Sequence, residues 1–449
     1  AMADQDRIRT VLEGIVGPEN LLASGEADSY RVDGQSPRFV LFPDAAEQIS
    51  EIVRLASEEN FAILPRGGGT KMHVGNKPKR ADLIVSLSRL NQVLEHEPSD
   101  LTVTAEAGVI LNDLQRLLQE HNQSLPLDPP FSSSATLGGI IATNSSGPKR
   151  LAYGTARDLV IGIRVVNADG KITKAGGKVV KNVTGYDLNK LYVGSFGTLG
   201  IFVTFTFKLR PLPQEARTFL ALFPSWSSAL ELAQKILKVR LIPTALEIVN
   251  PSALESLSDL SGMKFQKNLF GVIVRFEEVK AAVEREISQT ASLCQQLSPS
   301  ASLLVEGKEQ ESLWEAIRTL PYSFQKDDER AAVCKTSLLP SKVGELFRLE
   351  EDFKKGKTTL STVAHYGNGI VYTTMIPENR HELPPLLSHW REEIEKLGGA
   401  TVIEVISPLL KGEVNVWGNP RSDFPMMKRI KEALDPKGIL NPGRFVGGI

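Results

Sequence analysis

The chain opens with helical periodicity. Ile8, Val11, Leu12 and Ile15 share one face of residues 4–16, and Ile49, Ile52, Val53 and Ala56 share one face of residues 45–60. Short apolar runs of strand length lie between and after them: 40–42, stopped by Pro43, then 61–64, then 82–87 and 102–106, which alternate apolar with polar. Residues 111–121 are predicted helical, and residues 160–167 and 203–209 are predicted strands. Beyond residue 217 the order becomes regular. Strand 218–223 precedes helix 227–239, a strand follows at 245–249, and strand 270–276 precedes helix 279–297. Strand 370–375 then precedes helix 382–397 and a last strand at 401–406. The repeated strand-then-helix order predicts an α+β domain of ferredoxin-like character.

The first half is organised around residues 61–75. An apolar run ends in Pro65 and Arg66, then come Gly67, Gly68 and Gly69, and Thr70 and Gly75 close the turn. Without Cβ atoms, the N–H groups of such a loop can approach a large anion closely, so the pattern is a phosphate cradle. A P-loop is excluded, because Gly356-Lys357-Thr358 has Glu351 where the first glycine belongs. A Rossmann fingerprint is excluded too, because Asn76, Lys77, Pro78 and Lys79 follow where an amphipathic helix is required. The loop is therefore expected to join two strands.

A second element, residues 129–147, is rich in Ser, Thr, Gly and Asn, almost free of charge, and still carries Leu137, Ile140 and Ile141. It suits either a buried run whose hydroxyls and amides face a polar ligand or a glycine-rich connector. A third element, residues 153–211, contains Tyr153-Gly154, Arg157-Asp158, Gly185-Tyr186-Asp187-Leu188 and Gly194-Ser195-Phe196-Gly197-Thr198-Leu199-Gly200-Ile201.

Length and composition narrow the picture. At 449 residues the chain has room for two or three domains. Its 52 Lys plus Arg against 53 Asp plus Glu leave a net charge of -1, which offers no electrostatic footprint for nucleic acid or an anionic membrane. No apolar segment approaches the roughly 20 residues of a membrane helix, and no basic-then-apolar leader opens the chain. Two cysteines, Cys294 and Cys334, are too few for a disulfide framework or for the about four thiolates of an iron–sulfur cluster. They are expected to be buried apolar thiols, and a cytoplasmic location is expected.

The glycine loop, the small-residue segment and the three motifs of the third element, in this order, resemble the vanillyl-alcohol oxidase and p-cresol methylhydroxylase (PCMH) family of FAD-binding oxidoreductases. The C-terminal Leu440-Asn441-Pro442-Gly443-Arg444-Phe445 resembles that of the 2-hydroxyacid dehydrogenase branch, and Val416-Trp417-Gly418 resembles the FAD-binding E-type subunits of bacterial glycolate oxidase. The resemblance implies a PCMH-type FAD domain over residues 1–214, a ferredoxin-like α+β cap on the substrate side over 215–420, and a C-terminal segment, 421–449, that returns to the FAD domain. It also places FAD contacts. Arg66, Gly67, Gly68, Gly69 and Thr70 match the loop that holds the pyrophosphate, with Gly75 behind it. Pro129, Thr136, Gly138, Gly139, Thr143, Asn144 and Gly147 match the segment along the ribityl chain and flavin. Gly200 and Ile201 match backbone contacts, and Asn441 matches an asparagine reaching back to the flavin. Members with covalent flavin often carry histidine where Thr70 stands, so dissociable FAD is expected. His73 is expected to face solvent.

For the chemistry, oxidation of a 2-hydroxy acid needs an acceptor for the α-hydride, a base for the hydroxyl proton and a cation for the carboxylate. Catalytic relatives use a metal held by His-x-Gly-Asp-Gly-Asn-x-His and a later Glu-His pair. Here His365 keeps the first position, Asn368 replaces the acid, Tyr372 replaces the second histidine, and Glu404 and Val405 fall on the later pair. Two of four ligands do not make such a site, so no metal is expected. Two readings follow. One is an accessory FAD subunit beside a D-type flavoprotein and an iron–sulfur F-type subunit, peripheral at the inner membrane through that complex. The other is a self-sufficient glycolate or D-lactate dehydrogenase with His365 as base, and Lys335 or Arg318 holding the carboxylate. An NADPH-dependent FAD reductase of the same fold is a third class. The plain alternatives are a hydrogen-bonded structural His365 and a solvent-facing Lys335. The charged runs 325–330 and 350–357 are expected on solvated loops and helix faces.

Overall fold

The computed structural model describes residues 2–177, 187–324, 329–354 and 357–449. The chain forms two compact units, one of Ala1–Ser145, Thr155–Leu212 and Asn419–Ile449, the other of Ser146–Gly154 and Pro213–Gly418.

In the first unit a four-stranded sheet runs in the order Leu21–Ala23, Phe39–Leu41, Leu83–Ser86, Ile63–Arg66. The last three strands are mutually parallel. Helix Ala46–Glu59 makes the crossover, with Ile49, Ile52, Val53 and Ala56 fully buried as its periodicity predicts. The return from Ile63–Arg66 to Leu83–Ser86 is the glycine loop, so it does join two strands. A five-stranded antiparallel sheet follows, in the order Val93–Glu97, Thr102–Glu106, Ile201–Lys208, Val160–Val166, Ile172–Gly176. Its central strand buries Phe205 and Phe207 and turns Thr204, Thr206 and Lys208 outward, the period of two of a half-buried strand. The small-residue segment contains a helix, Leu137–Thr143, that two adjacent glycines hide from sequence reading. Thr136 caps it, its Oγ1 accepting the Gly139 N–H at 3.3 Å.

The C-terminal segment closes this unit. Ile63 donates to the Ile439 carbonyl at 2.7 Å and accepts from the Asn441 N–H at 2.8 Å, so the chain end pairs beside the strand that enters the glycine loop. Lys431, on helix Phe424–Leu434, is buried, and its Nζ donates to the Thr198 carbonyl (2.8 Å), the Leu440 carbonyl (2.9 Å) and Asp435 Oδ2 (2.5 Å). Burial pulls its ammonium below the ordinary range, against the pull of Asp435.

The second unit is built on an eight-stranded antiparallel sheet in the order Ala301–Val305, Glu215–Phe223, Phe270–Glu278, Ala245–Val249, Thr359–His365, Ile370–Ile376, Ala332–Ser337, Ala400–Val405. It divides into two β-α-β-β-α-β halves, each with the ferredoxin-like strand order, joined edge to edge where Ala245–Val249 pairs with Thr359–His365. Helices Trp226–Lys238, Lys280–Gln295, Val343–Lys354 and Leu383–Lys396 cover one face over Phe219, Phe223, Val274, Phe276 and Met375. Helices Pro251–Ser261 and Gly307–Thr319 cover part of the other, around Leu220, Ile273 and Trp314. Cys294 and Cys334 are buried thiols, pushed up to about 11 and about 12 by burial.

Glu350 does not lie on a solvated face. It is buried, accepts from Asn250 Nδ2 at 3.1 Å and from the Thr362 hydroxyl, and ties the first half of the sheet to the second. Residues 325–328, Lys355 and Gly356 of the charged runs lie outside the described residues.

Replacing Lys431 by Met strands a fully buried Asp435 and two carbonyls. The variant is expected to lose about 3 to 5 kcal/mol, the usual cost of breaking a buried pair from one side, read by urea unfolding. An unchanged urea midpoint would show that the C-terminal clasp contributes nothing to stability.

Candidate functional site

The glycine loop owes its shape to a close approach. A Cβ on Gly67 would meet Thr136 Oγ1 at 2.0 Å, and one on Gly68 would meet the Ser134 carbonyl oxygen at 1.8 Å. Only glycine lets residues 67 and 68 lie against residues 134–136. Beside this contact opens a cavity lined by Gly67, Gly68, Gly69 and Thr136 among others.

Of the expected cofactor residues, Arg66, Gly67, Gly68, Gly69, Thr70, Thr136, Gly138, Gly139, Thr143, Gly200 and Asn441 line this cavity. The others do not. Gly75 backs the loop, where a Cβ would meet the Arg444 carbonyl oxygen at 2.5 Å. Pro129 and Gly147 are buried elsewhere, Gly147 in the second unit. Ile201 is buried in its strand opposite Val166. Asn144 ends helix Leu137–Thr143 in the left-handed region (φ 47°) with its Oδ1 buried and without a hydrogen-bond partner. His73 is half-buried, with Nε2 shielded from solvent. Gly185 and Tyr186 lie outside the described residues.

The donors at the cavity suit a diphosphate. The N–H groups of Gly67, Gly68, Gly69 and Thr70 donate to no acceptor among the described residues. Arg66 stacks over Tyr30 at 4.9 Å, has no carboxylate partner among the described residues, and is pulled below its ordinary range by burial. Sequence reading missed Arg444, although it stands three residues after Asn441 in the same motif. Its guanidinium donates to the carbonyls of Met72 (2.5 Å) and Val74 (2.7 Å), and burial pulls it down to about 10. Asn441 Nδ2 donates to the Phe196 carbonyl at 2.6 Å, and Phe196 holds φ 60°, a left-handed backbone costly for a bulky side chain.

The second unit carries a separate polar cluster, on the sheet face away from the four helices. Register places Glu247 opposite His365 and Lys335 opposite Tyr372. His365 Nδ1 lies 2.5 Å from Oε2 of the fully buried Glu247. The Tyr322 hydroxyl donates to Glu404 Oε2 at 2.5 Å, and Lys335 Nζ lies 3.5 Å from Glu404 Oε1. Lys335 is therefore paired rather than solvent-facing. Its ammonium is held above the ordinary lysine range by Tyr372 first and Glu404 next, with burial opposing. Burial pushes both Tyr322 and Tyr372 up, so both remain phenols. Arg318 pairs with Glu315 at 2.6 Å and makes no ion pair to this cluster. The donors do not fit the metal that the motif implies in relatives. Both Glu404 oxygens and His365 Nδ1 are engaged by protein groups, and no three His, Cys, Asp or Glu among the described residues converge on one point.

A glycine-walled cavity with free amide donors, in a chain whose other unit is a ferredoxin-like antiparallel sheet with a polar face, defines a flavin oxidoreductase of the PCMH type. Residues 37–176 match the FAD binding domain family and residues 212–445 match the C-terminal domain of FAD linked oxidases, so the chain belongs to the FAD-linked oxidases. It is 30% identical to the glycolate oxidase subunit GlcD of Bacillus subtilis, covering 98% of this chain and 96% of that protein. It is 28% identical to a D-lactate dehydrogenase of Archaeoglobus fulgidus, covering 94% and 96%. In fold it is similar to p-cresol methylhydroxylase with substrate bound, with a TM-score of 0.75 at 15% identity over 99% of this chain and 97% of that one.

Gly68→Ala is expected to force residues 67–69 off residues 134–136, and the purified variant to elute from gel filtration with little flavin absorbance. Gly14→Ala, where an added Cβ meets nothing within 4 Å, is the control and keeps its flavin.

Proposed function

We propose that this chain binds FAD non-covalently in the glycine-loop cavity and oxidises a small 2-hydroxy acid, such as glycolate or D-lactate, to the 2-oxo acid. FAD, when bound, supplies the two-electron acceptor for the α-hydride. Arg66 and the N–H groups of residues 67–70 would hold its diphosphate, Thr136, Gly138, Gly139 and Thr143 would flank the rest, and Asn441 would orient the loop at Phe196. Asn144, with its unused Oδ1, would add an acceptor beside them.

The observation that carries the reading is the composition of the polar sheet face. His365 is a base able to take the hydroxyl proton, Lys335 is a cation able to hold a carboxylate, and Glu404 with Tyr322 fixes that lysine. The ammonium of Lys335 is shared with Glu404, and the neighbouring Arg150 adds a second positive charge that acts on Lys335.

A second reading rests on Tyr372, which stands where the motif of catalytic relatives has a histidine. In it the chain is an E-type, FAD-loaded accessory subunit of a glycolate oxidase complex, passing electrons beside a D-type flavoprotein and an iron–sulfur F-type subunit. Likeness to a glycolate oxidase subunit supports membership of such a complex. No helix among the described residues is long and apolar enough to cross a membrane, so attachment to the inner membrane would come through the partners.

Anaerobic addition of glycolate, then D-lactate, is expected to bleach the flavin of the isolated chain. A flavin that stays oxidised until the D-type partner is added would transfer the chemistry to that partner. Acid precipitation is expected to release all the FAD into the supernatant, since Thr70 offers no histidine for covalent attachment. Flavin retained on the pellet would refute this. Co-expression with D-type and F-type subunits is expected to give one co-eluting species, and three separate peaks would count against the complex.

A further inference from the structure

We infer that Glu247 is a positioning residue for catalysis, fixing His365 as the Nδ1–H tautomer so that Nε2 presents its lone pair as the base. This rests on the reading in which His365 takes the substrate proton.

The geometry has three parts. Glu247 is fully buried on the strand Ala245–Val249, where a carboxylate is costly unless it is hydrogen-bonded. Its Oε2 lies 2.5 Å from His365 Nδ1, directly across the seam at which the two halves of the sheet join. A carboxylate oxygen accepts, so the ring nitrogen facing it carries the hydrogen. His365 Nε2 makes no hydrogen bond to any described residue, and 7% of the residue remains accessible, so the nitrogen left for a ligand is the unprotonated one. The ring is held from its other side by Tyr372, with centroids 5.5 Å apart and an edge-on angle of 75°. A histidine oriented by a buried carboxylate at one nitrogen and open at the other is the arrangement that proton-abstracting sites use.

The substrate O–H bond breaks and its proton passes to Nε2, while FAD, when bound, would supply the two-electron acceptor for the α-hydride as the C–O bond becomes the carbonyl of the 2-oxo acid. His365 becomes an imidazolium lying against the Glu247 carboxylate, which stabilises the charge where it forms. Glu247 touches no reacting atom, and it acts through the ring.

The test uses holoprotein labelled with ¹⁵N-histidine, with the His365 signals assigned by their loss in His365→Gln. In the wild type we expect protonated Nδ1 and bare Nε2, and an Nε2–H tautomer would overturn the inference. Glu247→Gln keeps the volume and a hydrogen bond but removes the charge. It is expected to lower kcat by about 10- to 100-fold, as for other partners behind a functional histidine, with KM within about 2-fold and flavin content unchanged. An unchanged kcat, or a change confined to KM, would overturn it. The two failures are distinguishable. Wild-type protein that no 2-hydroxy acid bleaches sinks the functional reading and the base role together, whereas protein that bleaches while showing the Nε2–H tautomer sinks only the role of Glu247.

Discussion

The first unit depends on the contact of residues 67–69 with residues 134–136. A carbonyl oxygen sits where the Gly68 Cβ would be, so the loop has no freedom to fall back from its neighbour. The loop amides, on residues that line the cavity, donate to no ladder or helix among the described residues. An anion-binding loop of this kind is costly to hold open, because unpaired donors favour collapse onto any nearby acceptor. The chain end resists the collapse from behind. Arg444 engages the carbonyls of Met72 and Val74, Asn441 holds Phe196, and Lys431 draws the Thr198 and Leu440 carbonyls together. Two buried cations thus use backbone carbonyls for most of their partners, and their rigidity passes to the loops that frame the cavity.

In the second unit the corresponding constraint is the seam between the two ferredoxin-like halves. Each half could complete a four-stranded sheet alone, and joining them edge to edge removes two exposed edges at once. The polar groups at the seam then have partners only if both halves are present. Asn250 reaches Glu350 and the Leu360 carbonyl, and Glu247 reaches His365. The His365 ring is therefore oriented by the same pairing that builds the sheet.

Much of this was legible locally. The helix expected at 45–60 is Ala46–Glu59 and the strand expected at 245–249 is Ala245–Val249, because periodicity and flanking breakers act within a few residues. The glycine loop was legible for the same reason. Helix Leu137–Thr143 was not, because its glycines argue against helix and it stands on the Thr136 cap and on tertiary packing around Ile140 and Ile141. The buried state of Glu350 and the role of Arg444 were also hidden, since their partners lie far away in sequence. Glu247 is the sharpest case. Within Ala245–Val249 it reads as the single polar residue of an otherwise apolar strand, and its partner lies 118 residues away.

The same distance explains how the site could depart from the metal-binding pattern without losing order. Tyr372 in place of a histidine removes a ligand but keeps a polar group opposite Lys335, and burial keeps that group a neutral phenol. The carboxylate of Glu404 is bonded by Tyr322 and paired with Lys335. This face thus carries an ammonium paired with a carboxylate, on a side chain whose position the sheet register sets.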